Sequence, residues 1–272
     1  MSYVRSNGID LKYRSFGSGQ PLILIHGLAC GLRMWVRQIG ILSRQFRVVV
    51  YDQRGHGLSS APDDPACYSP RLLAGDLVGL LDHLDIQQAH IVGFSLGGGP
   101  ALALAGSQPN RVSSLVLADV GAGSENQWRS QWLARRWCTM AQQPPAILYE
   151  DMLRHEFYKT YANANVRTRF HMRSLIAATP LVGLTHTLAQ VIAKRTSLFR
   201  QTALLRSIAV PTLILRGQYD FACLRSSTLL ANTIAFAQQL TVAGAGHMVP
   251  LERPAAFSRA LLDFIQRAAR PS

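Results

Sequence analysis

A chain of 272 residues with 48% apolar side chains can bury an extended sheet, and it contains no low-complexity tract and no repeat of solenoid length. Its formal net charge is +13, from 28 basic and 15 acidic residues, yet no helix-turn-helix, zinc-finger or RNP-like pattern accompanies the charge, so nucleic acid is not expected as a partner. No uncharged apolar run reaches about 18 residues, so no membrane span is expected either.

In chain order, two short strands are predicted near residues 3–5 and 9–16, joined by Asn7-Gly8, a pair that tolerates positive φ in a hairpin turn. Compact apolar runs follow at 22–25, 48–51, 91–94, 115–117 and 213–215. They are uniformly apolar rather than alternating, which is how strands buried on both faces of a parallel sheet read. Leu72, Leu73, Asp76, Leu77, Leu80, Leu81 and Leu84 form a stripe at helical spacing, and Phe257, Leu261, Leu262, Phe264 and Ile265 form another. This alternation predicts a doubly wound, mostly parallel α/β sheet.

The rhythm stops between residues 121 and 206. No strand run is evident there, and the segment is aromatic, helical in pattern and basic: residues 125–206 hold 12 basic and 4 acidic side chains. It is too long for a connecting loop. The expected organisation is a core domain from 1–120 and 207–272, with 121–206 inserted between strands as a helical cap. Pro144-Pro145 and Thr179-Pro180 are the expected breaks between its helices.

The strongest chemical signal is Gly93-Phe94-Ser95-Leu96-Gly97, a G-x-S-x-G elbow between an apolar strand and a small-residue helix at 98–106. Glycines on both flanks relieve crowding at a strained turn, and the Ser95 hydroxyl would stand at a helix amino terminus, where an anion is favoured. Serine needs a base. His247, in Gly244-Ala245-Gly246-His247-Met248, follows a short strand near 239–242 and is the candidate among eight histidines. Open α/β sheets gather functional groups at the carboxyl ends of their strands. By the same logic Asp220, just past the run at 213–215, is the candidate orienting acid, with Asp119 after the preceding strand as its rival. The backbone N–H groups of Leu96 and Leu28 are the candidate oxyanion donors. The cysteines Cys30, Cys67, Cys138 and Cys223 lie 37, 71 and 85 positions apart, a spacing without metal or redox character, and they are expected to be reduced thiols.

Five segments together resemble the α/β-hydrolase superfamily over essentially the whole chain: Leu24-Ile25-His26-Gly27, then Asp52-Gln53-Arg54-Gly55-His56-Gly57, the elbow, Gly217-Gln218-Tyr219-Asp220, and Gly244-Ala245-Gly246-His247. The resemblance implies the order Ser…Asp…His for a triad of Ser95, Asp220 and His247, and a structural role for His56. It implies a serine hydrolase of small carboxylic esters or lactones without metal or cofactor, similar to capped β-ketoadipate enol-lactone hydrolases and small-ester hydrolases. Dehalogenases and epoxide hydrolases carry aspartate at the elbow, where this chain has Ser95. Perhydrolases and haloperoxidases often have an aromatic residue where this chain has Leu28. Carbon–carbon bond hydrolases usually show Gly-Asn-Ser-Met-Gly, from which Phe94 and Leu96 depart. A carbon–carbon bond hydrolase, an acyltransferase on the same triad and a ligand-binding receptor with little turnover stand as alternatives. Trp128, Trp132 and Met248 are the candidate substrate contacts, and the arginines of the insertion point to an anionic substrate. The amino terminus lacks the apolar h-region of a signal peptide, so the expected compartment is the cytoplasm.

Overall fold

The computed structural model describes residues 2–122, 125 and 127–268. Among them, eight strands form one sheet: β1 (Ser2–Ser6), β2 (Ile9–Phe16), β3 (Gln20–Ile25), β4 (Phe46–Tyr51), β5 (Ala89–Phe94), β6 (Val112–Ala118), β7 (Thr212–Gly217) and β8 (Ala237–Val242). Their order is β1-β2-β4-β3-β5-β6-β7-β8. β1 and β2 pair antiparallel, as do β2 and β4; all other neighbours are parallel. The sheet is thus mostly parallel, with the hairpin turning at Asn7-Gly8.

The uniformly apolar runs become intelligible once the pleat sorts them. Leu22 and Leu24 of β3, Val48 and Val50 of β4, and Val92 and Phe94 of β5 belong to one buried cluster. The intervening Ile23, Ile25, Val49, Tyr51 and Ile91 belong to another. Successive side chains point to opposite faces, so a strand covered on both sides needs apolar residues at every position.

Helices α1 (Val36–Leu42), α2 (Pro70–His83) and α3 (Gly98–Ser107) lie between the early strands. The second cluster receives Leu77, Leu80 and Leu81 of α2 and Ala101, Leu102, Leu104 and Ala105 of α3. The first receives Phe257, Leu261, Phe264 and Ile265 of the terminal helix α12 (Pro254–Ala268), which packs beside α1. Ser69 caps α2 through a hydrogen bond to its side chain from Leu72 N, and proline occupies its first position. The α12 stripe lies where its spacing predicts.

Between β6 and β7 come α4 (Gln127–Met140), α5 (Pro145–Arg154), α6 (Lys159–Ala162), α7 (Val166–Ala177), α8 (Leu181–His186) and α9 (Thr202–Ser207), with a π-helical stretch at Thr187–Ile192. Trp137, Leu148, Met152, Leu175, Ile176 and Leu184 from these helices join the first cluster, so this segment shares an apolar core with one face of the sheet. The remaining helices are α10 (Leu224–Thr233) and the short α11 (Val249–Glu252). Among the described residues, no single helix is long and apolar enough to cross a membrane; α7 and the Leu181–Ile192 stretch meet that test only when joined, and they meet at 85°.

Candidate active site

β5 delivers Ser95. Gly93 pairs with Ile25 of β3 and Leu117 of β6 at the centre of the sheet, and the chain turns immediately afterwards. Ser95 has φ 50°, in the left-handed region that a non-glycine residue rarely adopts. The turn closes only because its flanks lack side chains. A Cβ at Gly97 would come 2.4 Å from the Ile25 carbonyl oxygen, and one at Gly93 would come 2.6 Å from the Gly97 oxygen.

β8 delivers His247 through the loop that follows it. Glu252 accepts hydrogen bonds from Gly246 N at 2.5 Å and Met248 N at 3.1 Å, gripping the backbone on either side of the histidine. His247 Nε2 lies 3.0 Å from Ser95 Oγ, and Nδ1 lies 2.8 Å from Asp220 Oδ2. The structure therefore brings together three side chains that are 125 and 27 positions apart in the sequence. His247 and Asp220 are both almost fully buried. Burial opposes ionisation of Asp220, but the imidazole beside it, and hydrogen bonding to it, hold its carboxyl below the usual carboxylate range.

Asp119, the rival acid, follows β6 one strand away, with φ 50°. It does not reach the imidazole. Its Oδ1 accepts from Gly217 N at 2.9 Å, and its Oδ2 is buried with no hydrogen-bond partner of its own among the described residues. Complete burial, and then the Asp220 charge, push its pKa well up. Neighbouring buried carboxyls disfavour a second charge, and the opposite directions of the two shifts put the proton on Asp119.

The loop after β3 forms the other wall. Ala29 takes φ 55°, and the Leu28 carbonyl accepts from Tyr158 Oη at 3.0 Å and Cys30 Sγ at 3.3 Å. The Leu28 N–H donates to no acceptor among the described residues, and Leu96 N lies in the first turn after Ser95. His26 braces the loop from behind: Gln53 N donates to its Nε2 at 2.9 Å and Gln53 Nε2 to its carbonyl at 2.7 Å. His56 is buried against the His26 ring, 5.0 Å between centroids, and burial lowers its pKa to about 3, so it is a neutral packing group. In the same turn, Arg54 makes a buried bidentate pair with Asp76 of α2, at 2.6 and 2.7 Å.

A cavity of about 260 Å³ opens above Ser95 and His247. Leu28, Leu96 and Met248 line it, together with Trp128 and Trp132 of α4, which are 66% and 50% exposed and form its rim. Sequence patterns alone did not single out Phe157, Cys223 or Arg195 as site residues. The Phe157 ring stands 4.7 Å from the His247 ring, and Cys223 Sγ is 3.9 Å from His247 Nδ1. Burial pushes the Cys223 thiol well up, and Asp220 adds to this, so it stays protonated. Arg195 lines the same cavity. The only signal for it was the basic character of the insertion, which it shares with many neighbours. Phe157 was one aromatic among several; of these, Trp137, Tyr158 and Tyr161 are largely buried.

This sheet, with its functional loops gathered at one edge, is the architecture of a large enzyme superfamily. The family described as alpha/beta hydrolase fold matches residues 20–254, and the chain belongs to it. It is similar to 2-hydroxymuconate semialdehyde hydrolase of Pseudomonas sp. strain CF600, 30% identical over 96% of this chain and 92% of that one. It is also similar to 3-oxoadipate enol-lactonase 2 of Acinetobacter baylyi, 29% identical over 95% and 94% of the two chains. Among solved structures, the enol-lactonase of Burkholderia xenovorans LB400 superimposes with a TM-score of 0.84 at 28% identity, covering 97% of this chain and all of the other.

Proposed function

We propose that this chain is a serine hydrolase that cleaves small carboxylic esters or lactones through an acyl-enzyme. The observation that carries the reading is the continuous relay from Ser95 Oγ through His247 to Asp220, at 3.0 and 2.8 Å, opening into an apolar cavity. Ser95 attacks the carbonyl carbon while His247 Nε2 takes its proton. Leu28 and Leu96 N–H groups donate to the oxyanion; losing one such donor costs about 3 kcal/mol of transition-state stabilisation. His247 returns the proton to the leaving alkoxide, and Asp220, ionised throughout, stabilises the imidazolium. Water activated by the same histidine then releases the acid. Residues 121–206 act as the cap, with Trp128, Trp132 and Met248 as substrate contacts. Similarity to enol-lactonases at full length supports the ester and lactone class.

A second reading, hydrolysis of a carbon–carbon bond in a vinylogous diketone, draws support from the similarity to the semialdehyde hydrolase. Against it stand Phe94 and Leu96 in the elbow. The decisive experiment is intact mass spectrometry after treatment with a serine-directed phosphonate. One adduct is expected on the wild type and none on Ser95→Ala, followed by turnover of esters and lactones but not of vinylogous diketones. Modification of the Ser95→Ala protein at the wild-type rate would overturn the assignment of the nucleophile.

A further inference from the structure

The catalytic cavity contains a half-buried cation with no ion-pair partner among the described residues. The stretch Thr187–Ile192 winds as a π-helix, a rare geometry concentrated at functional sites. Leu188, Ile192 and Arg195 follow one another at spacings of four and three and all line the cavity. The Arg195 guanidinium donates to the Ala122 carbonyl and to Ser130 Oγ, both bonds leaving from Nη2. Nη1 and Nε meet no acceptor among the described residues. Arg129 on the same wall is paired with Glu156 at 3.6 Å, whereas Arg195 forms no ion pair among the described residues. Burial lowers its pKa, with Glu125 pulling the other way from beyond ion-pair distance. A half-buried cation anchored by two neutral acceptors keeps unused donors at the cavity wall, and an anion entering the cavity can satisfy them. The guanidinium is a planar fork with donors to spare, which matches a carboxylate in bidentate geometry. Arg195 shares this cavity with Ser95 and His247.

We propose that Arg195 is a carboxylate subsite, and that the substrate is an ester or lactone bearing a carboxylate on the arm remote from the reacting carbonyl. This rests on the hydrolase reading above, and it is tested so that the two can fail separately. The probes are the mono-p-nitrophenyl ester of glutaric acid, the neutral p-nitrophenyl butyrate, and free glutarate against glutaramide. The ratio of kcat/KM for the carboxylated ester to that for the neutral ester is expected to fall about 30-fold in Arg195→Met, the scale of a charge-assisted bidentate contact, and less in Arg195→Lys. In the wild type, calorimetry is expected to detect binding of glutarate and not of glutaramide; this measurement needs no variant to fold and no turnover. An unchanged ratio in a folded Arg195→Met protein, or equal binding of diacid and diamide by the wild type, would overturn the subsite. Glutarate binding selectively without hydrolysis of either ester would leave the subsite standing and sink the hydrolase reading.

Discussion

At the scale of single residues, the least ordinary feature is the pair of acids behind His247. Asp220 is ionised beside the imidazole, and Asp119 behind it keeps its proton. A neutral Asp119 has a proton on its otherwise unpartnered carboxyl to offer toward Asp220, which would hold the carboxylate facing His247. An asparagine side chain in its place can donate in the same way, and alanine cannot. Asp119→Asn is therefore expected to keep kcat within about tenfold of wild type, while Asp119→Ala loses more, as a positioning residue does when its hydrogen bond is removed. The linkage has a definite sign. A carboxyl whose folded pKa is raised binds more protons folded than unfolded above its ordinary value, so its contribution to stability declines as pH rises through that window. The Asp119→Asn variant carries no such proton. Thermal unfolding at pH 5 and pH 8 is expected to show wild type losing more stability across that interval than Asp119→Asn. Equal losses would mean that Asp119 is ionised. Ser95, His247 and Asp220 were legible in the sequence because each is held by a short local pattern at the end of a strand. The partition of charge between Asp119 and Asp220 was not, because it depends on a through-space contact between two strand ends 101 positions apart.

At the scale of elements, legibility followed burial. β3 to β7 were readable because both faces are covered and nearly every position is apolar. β8 is an edge strand with exposed Gln238 and Gln239, and only its last residues stood out. α1 and α10 gave no stripe. α1 buries Gln38 and Leu42, and α10 buries Ser226, Ser227 and Leu230, so their inner faces include polar and small side chains; Gln38 Nε2 donates to the Pro250 carbonyl at 2.8 Å and Ser226 Oγ to the Val120 carbonyl at 2.9 Å. The turn that braces the site was legible as a motif, but its anchor was not: Arg54 is held by Asp76, which the spacing placed on the α2 stripe without showing what it pairs with. Removing one member of a buried ion pair strands the other charge, so Asp76→Ala is expected to destabilise the fold by about 3–5 kcal/mol. Chemical denaturation would measure this, and a loss below about 1 kcal/mol would mean that the turn stands without its anchor.

At the scale of the whole molecule, the excess of positive charge acts at a distance where Arg195 acts by contact. In the insertion, Glu150, Asp151 and Glu156 already pair with arginines, yet 12 basic side chains still face 4 acidic ones there. Of these basic residues Arg129 and Arg195 line the cavity itself, and a field of one sign raises the encounter rate of an oppositely charged ligand. Mobile ions screen such a field over roughly 10 Å at 0.1 M salt and roughly 3 Å at 1 M, whereas a guanidinium inside a cavity is screened far less. The two contributions are therefore separable by salt. Raising ionic strength from about 0.02 M to about 0.5 M is expected to lower kcat/KM for the glutaric hemiester roughly three- to tenfold and leave the butyrate ester nearly constant. Arg195→Met is expected to start from a lower value for the hemiester and retain most of the salt slope, because the surface arginines remain. A flat profile for the hemiester in the wild type would show that the surface charge does not guide substrate. A slope abolished in Arg195→Met would assign the whole electrostatic effect to the one residue in the cavity.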